Sequence, residues 1–175
     1  MENWPRPEVA DRVRREVDEQ LGDRRARASD VRDLAYTNAV IQETLRLYPP
    51  AWVIGREAVE PVEIGDWTVP VGAQVLLPQS VVHRDGRWYD QPDTFRPERW
   101  LDGLEDEIPR FAYFPFGGGK RVCIGNYFAK MEAVLVVATM AQDVTVQNVS
   151  PEPLRTQPSV TQRPATAIEM EVEFR

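Results

Sequence analysis

Cysteine occurs once, histidine once and lysine twice in the 175 residues. One cysteine excludes a disulfide framework, and with one histidine beside it there is no ligand set for a structural zinc cluster. Positive charge is in deficit: 21 basic against 28 acidic residues give a formal net charge of −7, which argues against a nucleic-acid partner. Long apolar runs are also missing. The longest apolar-rich run, Ala133 to Ala141, has nine residues, against the roughly 20 that a bilayer-crossing helix needs. The first twenty residues are charged and show no leader-type apolar core, so a soluble, intracellular and cytoplasmic chain is expected. The two lysines, Lys120 and Lys130, leave arginine as the working cation. Many acids with little lysine hint at a salty cytoplasm or a GC-rich genome.

What is present is ordinary for a folded chain. The apolar fraction is 42%, too high for disorder and enough for one core. Val9, Val13, Val17 and Leu21 recur every four residues between charged positions and predict an amphipathic helix over 7–21, with Pro7 in its first turn and Gly22 at its end. A second helix is predicted from about Thr37, as N-cap, to Tyr48, with Val40, Ile41, Thr44, Leu45 and Tyr48 inward and Pro49-Pro50 ending it. Residues 52–77 read as short strands: Gly65-Asp66 and Pro70-Val71-Gly72 mark turns, and Val75-Leu76-Leu77 reads as a buried strand. A short helical piece is expected over 79–83. Residues 85–110 read as an ordered meander pinned by Trp88, Tyr89, Phe95 and Trp100. A glycine-rich loop at 111–125 leads into a last helix to about Gln142, apolar on nearly every side and so expected to be central. The tail alternates polar and apolar residues with several prolines, as edge strands do.

Cys123 is the chemical focus. A lone cysteine is commonly an inert buried hydrophobe. Here three glycines precede it, Arg121 stands two residues away and a helix begins just after it. Such surroundings favour thiolate, which serves as nucleophile or soft metal ligand. A nucleophile needs a base, and the one histidine, His83, lies forty residues upstream with nothing in the sequence to bring it near.

Phe116, Gly119, Arg121, Cys123 and Gly125 match Phe-x-x-Gly-x-Arg-x-Cys-x-Gly. This pattern resembles the haem-binding signature of the cytochromes P-450. Glu43 and Arg46 in ETLR resemble that family's Glu-x-x-Arg, and Arg99 in RPERW its Pro-Glu-Arg-Phe element, with Trp100 as the aromatic. Three motifs in matching order and spacing identify the chain with the C-terminal, haem-proximal portion of the family, near its bacterial and archaeal fatty-acid-hydroxylase-like members.

The resemblance implies an α+β, mainly helical fold of J, K and L-type helices, small β-sheets, a meander and the cysteine-ligand loop, with 1–175 one partial domain. It implies haem b (iron protoporphyrin IX) with Cys123 as axial ligand. Phe116 would pack beside the sulfur and exclude water, Gly117 would belong to the cofactor-binding loop, amides near Gly125 would hydrogen-bond the sulfur, and Ala129 would leave room for the macrocycle. Arg121 and Arg56 would pair with the propionates, and His83 would lie near a propionate or act as a packed residue of the meander. Glu43, Arg46 and Arg99 would form a structural network; the bland alternative is an exposed pair at i,i+3. Ala51, Trp52, Val53 and Ile54 would border an apolar substrate or pack in the core. Lys120 and Lys130 bracket the cysteine loop and would make its face locally basic, for an acidic electron donor such as a ferredoxin or a flavodoxin/reductase. The family's I helix, with its oxygen-activating Ala-Gly-x-Glu/Asp-Thr-Thr, has no counterpart here. The expectation is therefore a truncated monooxygenase, or a non-enzymatic, haem-binding or inert remnant of one, with apolar surface left bare on the last helix.

Overall fold

The computed structural model describes residues 6–151 and 154–175; the first five residues of the charged N-terminal stretch, and residues 152–153 of the proline-bearing tail, lie outside it. Helix α1 (Pro7–Leu21) opens with Pro at its first turn and stops at Gly22, whose φ of 56° lets its N–H bond Asp18 O. Val13, Val17 and Leu21 are its buried stripe. They pack with Leu34, Tyr36, Val134 and Ala138 into the main core.

After a 3-10 turn (Ala28–Arg32) comes α2 (Ala35–Leu47). It starts two residues before the expected Thr37. The reason is long-range. The Glu16 carboxylate of α1 accepts the Tyr36 N–H (2.6 Å), the Thr37 N–H (2.8 Å) and the Thr37 hydroxyl (2.7 Å). A side chain twenty residues away thus caps the helix, and Thr37 sits inside it. The expected inward stripe is also corrected. Thr44 is exposed and Val40, Ile41, Leu45 and Tyr48 are half-buried. The deep face carries Ala39, Glu43, Arg46 and Leu47, so charge occupies positions that a hydrophobicity pattern assigns to solvent.

Four strands follow. β1 (Ile54–Glu57) pairs antiparallel with β4 (Gln74–Leu77), Ile54 opposite Leu77 and Arg56 opposite Val75. Between them β2 (Val62–Ile64) and β3 (Trp67–Val69) form the hairpin around Gly65-Asp66. β4 is not the buried strand expected: Leu76 is 66% exposed, because a two-stranded sheet with no layer on that face cannot cover it.

Helix α3 (Gln79–Val82) leads to the meander, which contains the short helices α4 (Glu98–Leu101) and α5 (Leu104–Glu107). Tyr89, Phe95 and Trp100 are buried there, and Trp88 is half-buried against the same cluster. A 3-10 turn (Gly119–Arg121) precedes α6 (Asn126–Asp143). Only Val134 and Ala138 of α6 are buried, against α1 and α2. Its other faces expose Tyr127, Phe128, Val136 and Met140, so α6 is central on one side only. β5 (Val144–Asn148) pairs with β8 (Met170–Phe174), and β6 (Thr156–Gln157) with β7 (Arg163–Pro164). The architecture is mixed α+β. No helix among the described residues is long and apolar enough to cross a membrane.

Candidate functional site

The site has a rigid base and an exposed thiol. At the base, Glu43 and Arg46 are wholly buried. Arg46 faces the carboxylate bidentately, Nε to Oε2 and Nη2 to Oε1, both at 2.8 Å. Oε1 also accepts Arg99 Nε (3.2 Å) and the Arg96 N–H (2.8 Å), and Oε2 accepts Trp100 Nε1 (2.8 Å). Burial would raise the Glu43 pKa. The hydrogen bonds and charge of Arg46, the Arg96 amide and the Arg99 charge outweigh it and hold the carboxyl below the usual range. For Arg99, burial wins over the Glu43 charge and its pKa falls.

The remaining guanidinium donors go to meander backbone. Arg46 bonds the carbonyls of His83 (2.8 Å), Pro92 (2.5 Å) and Thr94 (3.1 Å). Arg99 bonds those of Asp90 (3.0 Å) and Thr94 (3.2 Å). The sequence marks Trp100 only as an aromatic; its indole N–H is a full member of the network. The signal available was its place beside Arg99, three residues after the meander's Arg96-Pro97.

The loop above begins at Phe114, which is gripped by α3. Gln79 Nε2 donates to Phe114 O, and Phe114 N–H donates to His83 Nε2 (3.0 Å). Gly117 N–H returns to Phe114 O (2.9 Å), and Cys123 N–H donates to Phe116 O (2.9 Å), which closes the loop below the cysteine. The three glycines answer to different demands. Gly117 has φ 76°, and a Cβ there would lie 3.2 Å from Ile54 Cδ1. Gly118 is extended (φ −159°), but a Cβ would overlap the Phe111 ring. Gly119 has φ 67° with open space around it.

Cys123 is exposed. Gly125 is the N-cap of α6, and a Cβ on it would stand 3.9 Å from Cys123 Sγ. Ile124 is fully exposed and Phe128 is 63% exposed. Ala129 is one turn on, its N–H on Gly125 O (2.8 Å). Arg121 and Lys120 are exposed on the 3-10 turn, and Lys130 is half-buried on α6. Arg56, on β1, donates to the Gly55 carbonyl (2.8 Å). Among the described residues neither Arg56 nor Arg121 has a carboxylate partner. Ala51 is exposed and Trp52, Val53 and Ile54 are half-buried. Trp52 Nε1 is held by Ser159 O (2.8 Å). His83 is fully buried and touches Tyr113 and Phe114, with ring centroids 5.3 and 5.4 Å away.

A family model described as cytochrome P450 matches residues 4–169. The chain belongs to the cytochrome P450 family. Cyclooctatin synthase of Streptomyces melanosporofaciens is 47% identical over 126 residues, 72% of this chain and 28% of that protein. Cyclooctat-9-en-7-ol 5-monooxygenase of the same organism is 42% identical over 135 residues, 77% of this chain and 29% of that protein. Pentalenene oxygenase of Streptomyces avermitilis is 36% identical over 143 residues, 81% and 32% respectively. The chain thus spans 28–32% of the length of these relatives.

As a cytochrome P450, the chain is of a haem-binding monooxygenase family, an iron-dependent class of oxidoreductases. Its residues fit such a group. The donor is a soft sulfur open to solvent. A Cβ at Gly125 would stand only in ordinary contact with the sulfur, and the flanking Ile124 and Phe128 offer exposed carbon to a flat apolar ligand.

Proposed function

We propose that this chain is the haem-proximal part of a haem-thiolate monooxygenase, with Cys123 as the iron ligand and haem b as the cofactor. The observation that carries the reading is the exposed Cys123 sulfur just before α6, flanked by the exposed Ile124 and Phe128. Held by this thiolate, haem would supply the activation of O2: with two electrons from a redox partner and two protons, one oxygen atom would enter the substrate and the other would leave as water.

The chain's own residues hold and shield. Phe116, Gly117 and the hydrogen-bonded loop fix the sulfur's position. Gly125 and Ala129 keep its approach clear. Arg121 and Arg56, cations without carboxylate partners among the described residues, take the two propionates. Glu43, Arg46 and Arg99 lock the meander beneath. In this reading α1, α2 and α6 are the family's J, K and L helices, and 1–175 is one partial domain, in keeping with the chain's share of its relatives' length. Ala51, Trp52, Val53 and Ile54 border an apolar small-molecule substrate; relatives named for cyclooctat-9-en-7-ol and for pentalenene support an apolar one. Lys120 and Lys130 face an acidic donor such as a ferredoxin or a flavodoxin.

The test is the absorption spectrum of the reduced, carbon-monoxide-bound protein, for this chain and for a longer version. A thiolate-type band that Cys123→Ser abolishes, with circular dichroism unchanged, supports the reading. The same band in Cys123→Ser refutes it.

A further inference from the structure

His83 joins two parts of the site that the sequence leaves unconnected. Its imidazole is completely buried. Nε2 accepts the Phe114 N–H at 3.0 Å, so the ring proton sits on Nδ1. Among the described residues Nδ1 has no hydrogen-bond partner, and the backbone of Leu45 and Arg46 stands close enough to act on the ring's charge. These belong to the last turn of α2, whose carbonyls lack helical partners. The same residue's carbonyl accepts Arg46 Nη1 at 2.8 Å. His83 therefore touches the Glu43–Arg46 pair with its backbone and the cysteine loop with its ring. Gln79, one turn earlier on α3, takes the other side of Phe114 through its carbonyl. From Phe114 the loop runs through Gly117 N–H and Phe116 O to Cys123 N–H.

We propose that His83 is a positioning residue: its neutral imidazole carries the order of the buried Glu43–Arg46 pair to the loop that presents Cys123. The proposal rests on the reading of Cys123 as the haem ligand. It requires the Nδ1–H tautomer, since a proton on Nε2 would set a donor against the Phe114 N–H and break that bond. Burial, aided by the Arg46 charge, pushes the ring's pKa down to about 4, which keeps that acceptor free at neutral pH. The titratable groups facing the ring are Arg46 and Tyr113.

The experiment compares His83→Phe, which keeps a ring but no acceptor, with His83→Gln, whose amide oxygen can stand where Nε2 stands. In the full chain, hydrogen exchange at the Phe114 amide and the spectrum of the reduced, carbon-monoxide-bound form are read together. The expected result is Phe114 exchange about tenfold faster in His83→Phe with loss of the thiolate-type band, and recovery of both in His83→Gln. Wild-type exchange and spectrum in both variants would overturn the proposal. Should neither variant fold, the wild-type chain is titrated: Phe114 protection is expected to fall as His83 protonates, and protection that stays flat through that titration overturns it. No thiolate-type band in either the wild-type chain or the longer version refutes the reading of Cys123, while the Phe114 amide still decides whether His83 holds the loop.

Discussion

The indole N–H of Trp100 donates to Glu43 Oε2 at 2.8 Å, and both side chains are buried. The aromatic of the Arg99-Trp100 pair thus serves the carboxylate as well as the core. Trp100→Phe keeps the ring and removes the donor. A buried hydrogen bond to a charged group contributes about 1.5–3 kcal/mol, and a loss in that range is expected in urea unfolding. A loss below about 0.5 kcal/mol would show that the carboxylate re-pairs without the indole.

Glu43→Ala leaves Arg46 and Arg99 buried without their shared anion. Breaking a buried pair this way costs roughly 3–5 kcal/mol. Glu43→Ala and Arg99→Ala are both expected to lower haem content per chain sharply, measured as the haem-to-protein absorbance ratio. Full haem loading in both would remove the network from the site's support.

Glu16→Ala uncaps α2 from a distance. Three donors lose a charged acceptor. A cap is worth about 1–2 kcal/mol, and the loss is expected with faster amide exchange at Tyr36 and Thr37. Unchanged exchange at those two amides would mean that water replaces the carboxylate at no cost.

The pH dependence has a defined sign. His83 titrates at 6.5 in an open chain and at about 4 when buried. Between those values the unfolded chain binds a proton that the folded one refuses. Stability is complete above about pH 6.5 and declines toward pH 4, by on the order of 3 kcal/mol. Glu43, whose folded pKa is lowered from 4.5, adds a loss of the same sign below that value. Unfolding free energies across pH 4–7 check this; His83→Phe is expected to flatten the upper part of the slope.

Lys120 and Lys130 are tested by charge reversal in the longest haem-loaded form. Reduction by an acidic donor is expected to slow, most at low salt, as steering requires. A rate unchanged at every salt concentration would exclude both lysines from docking.

Local patterns carried part of this fold. The valine period and the Pro7 and Gly22 ends of α1 need no partner to be read, and neither does the Gly65-Asp66 hairpin. Elements set by distant groups do not follow from local pattern. α2 begins where Glu16 reaches it, and its deep face follows the carboxylate and guanidinium of Glu43 and Arg46 rather than hydrophobicity. β4 reads as buried from Val75-Leu76-Leu77, yet burial depends on a covering layer that a strand's own residues cannot announce. At the site, motif spacing flagged Cys123, Arg99 and Glu43. The role of Gln79 leaves no local mark, and that of Trp100 only its place beside Arg99, because each acts through one hydrogen bond to a residue far along the chain.

The triplet Gly117-Gly118-Gly119 looks like a slack tether in which any member could stand for another. Atom by atom it is three separate constraints. Alanine at 119 would pay only in backbone strain. At 118 the backbone would accept it, but the Phe111 ring would have to swing away from Phe114, against which it packs edge-on. At 117 both penalties combine, with Ile54 as the obstacle. Substitutions along this short stretch should therefore fail for unlike reasons, and a compensating change at Phe111 could rescue only the middle one.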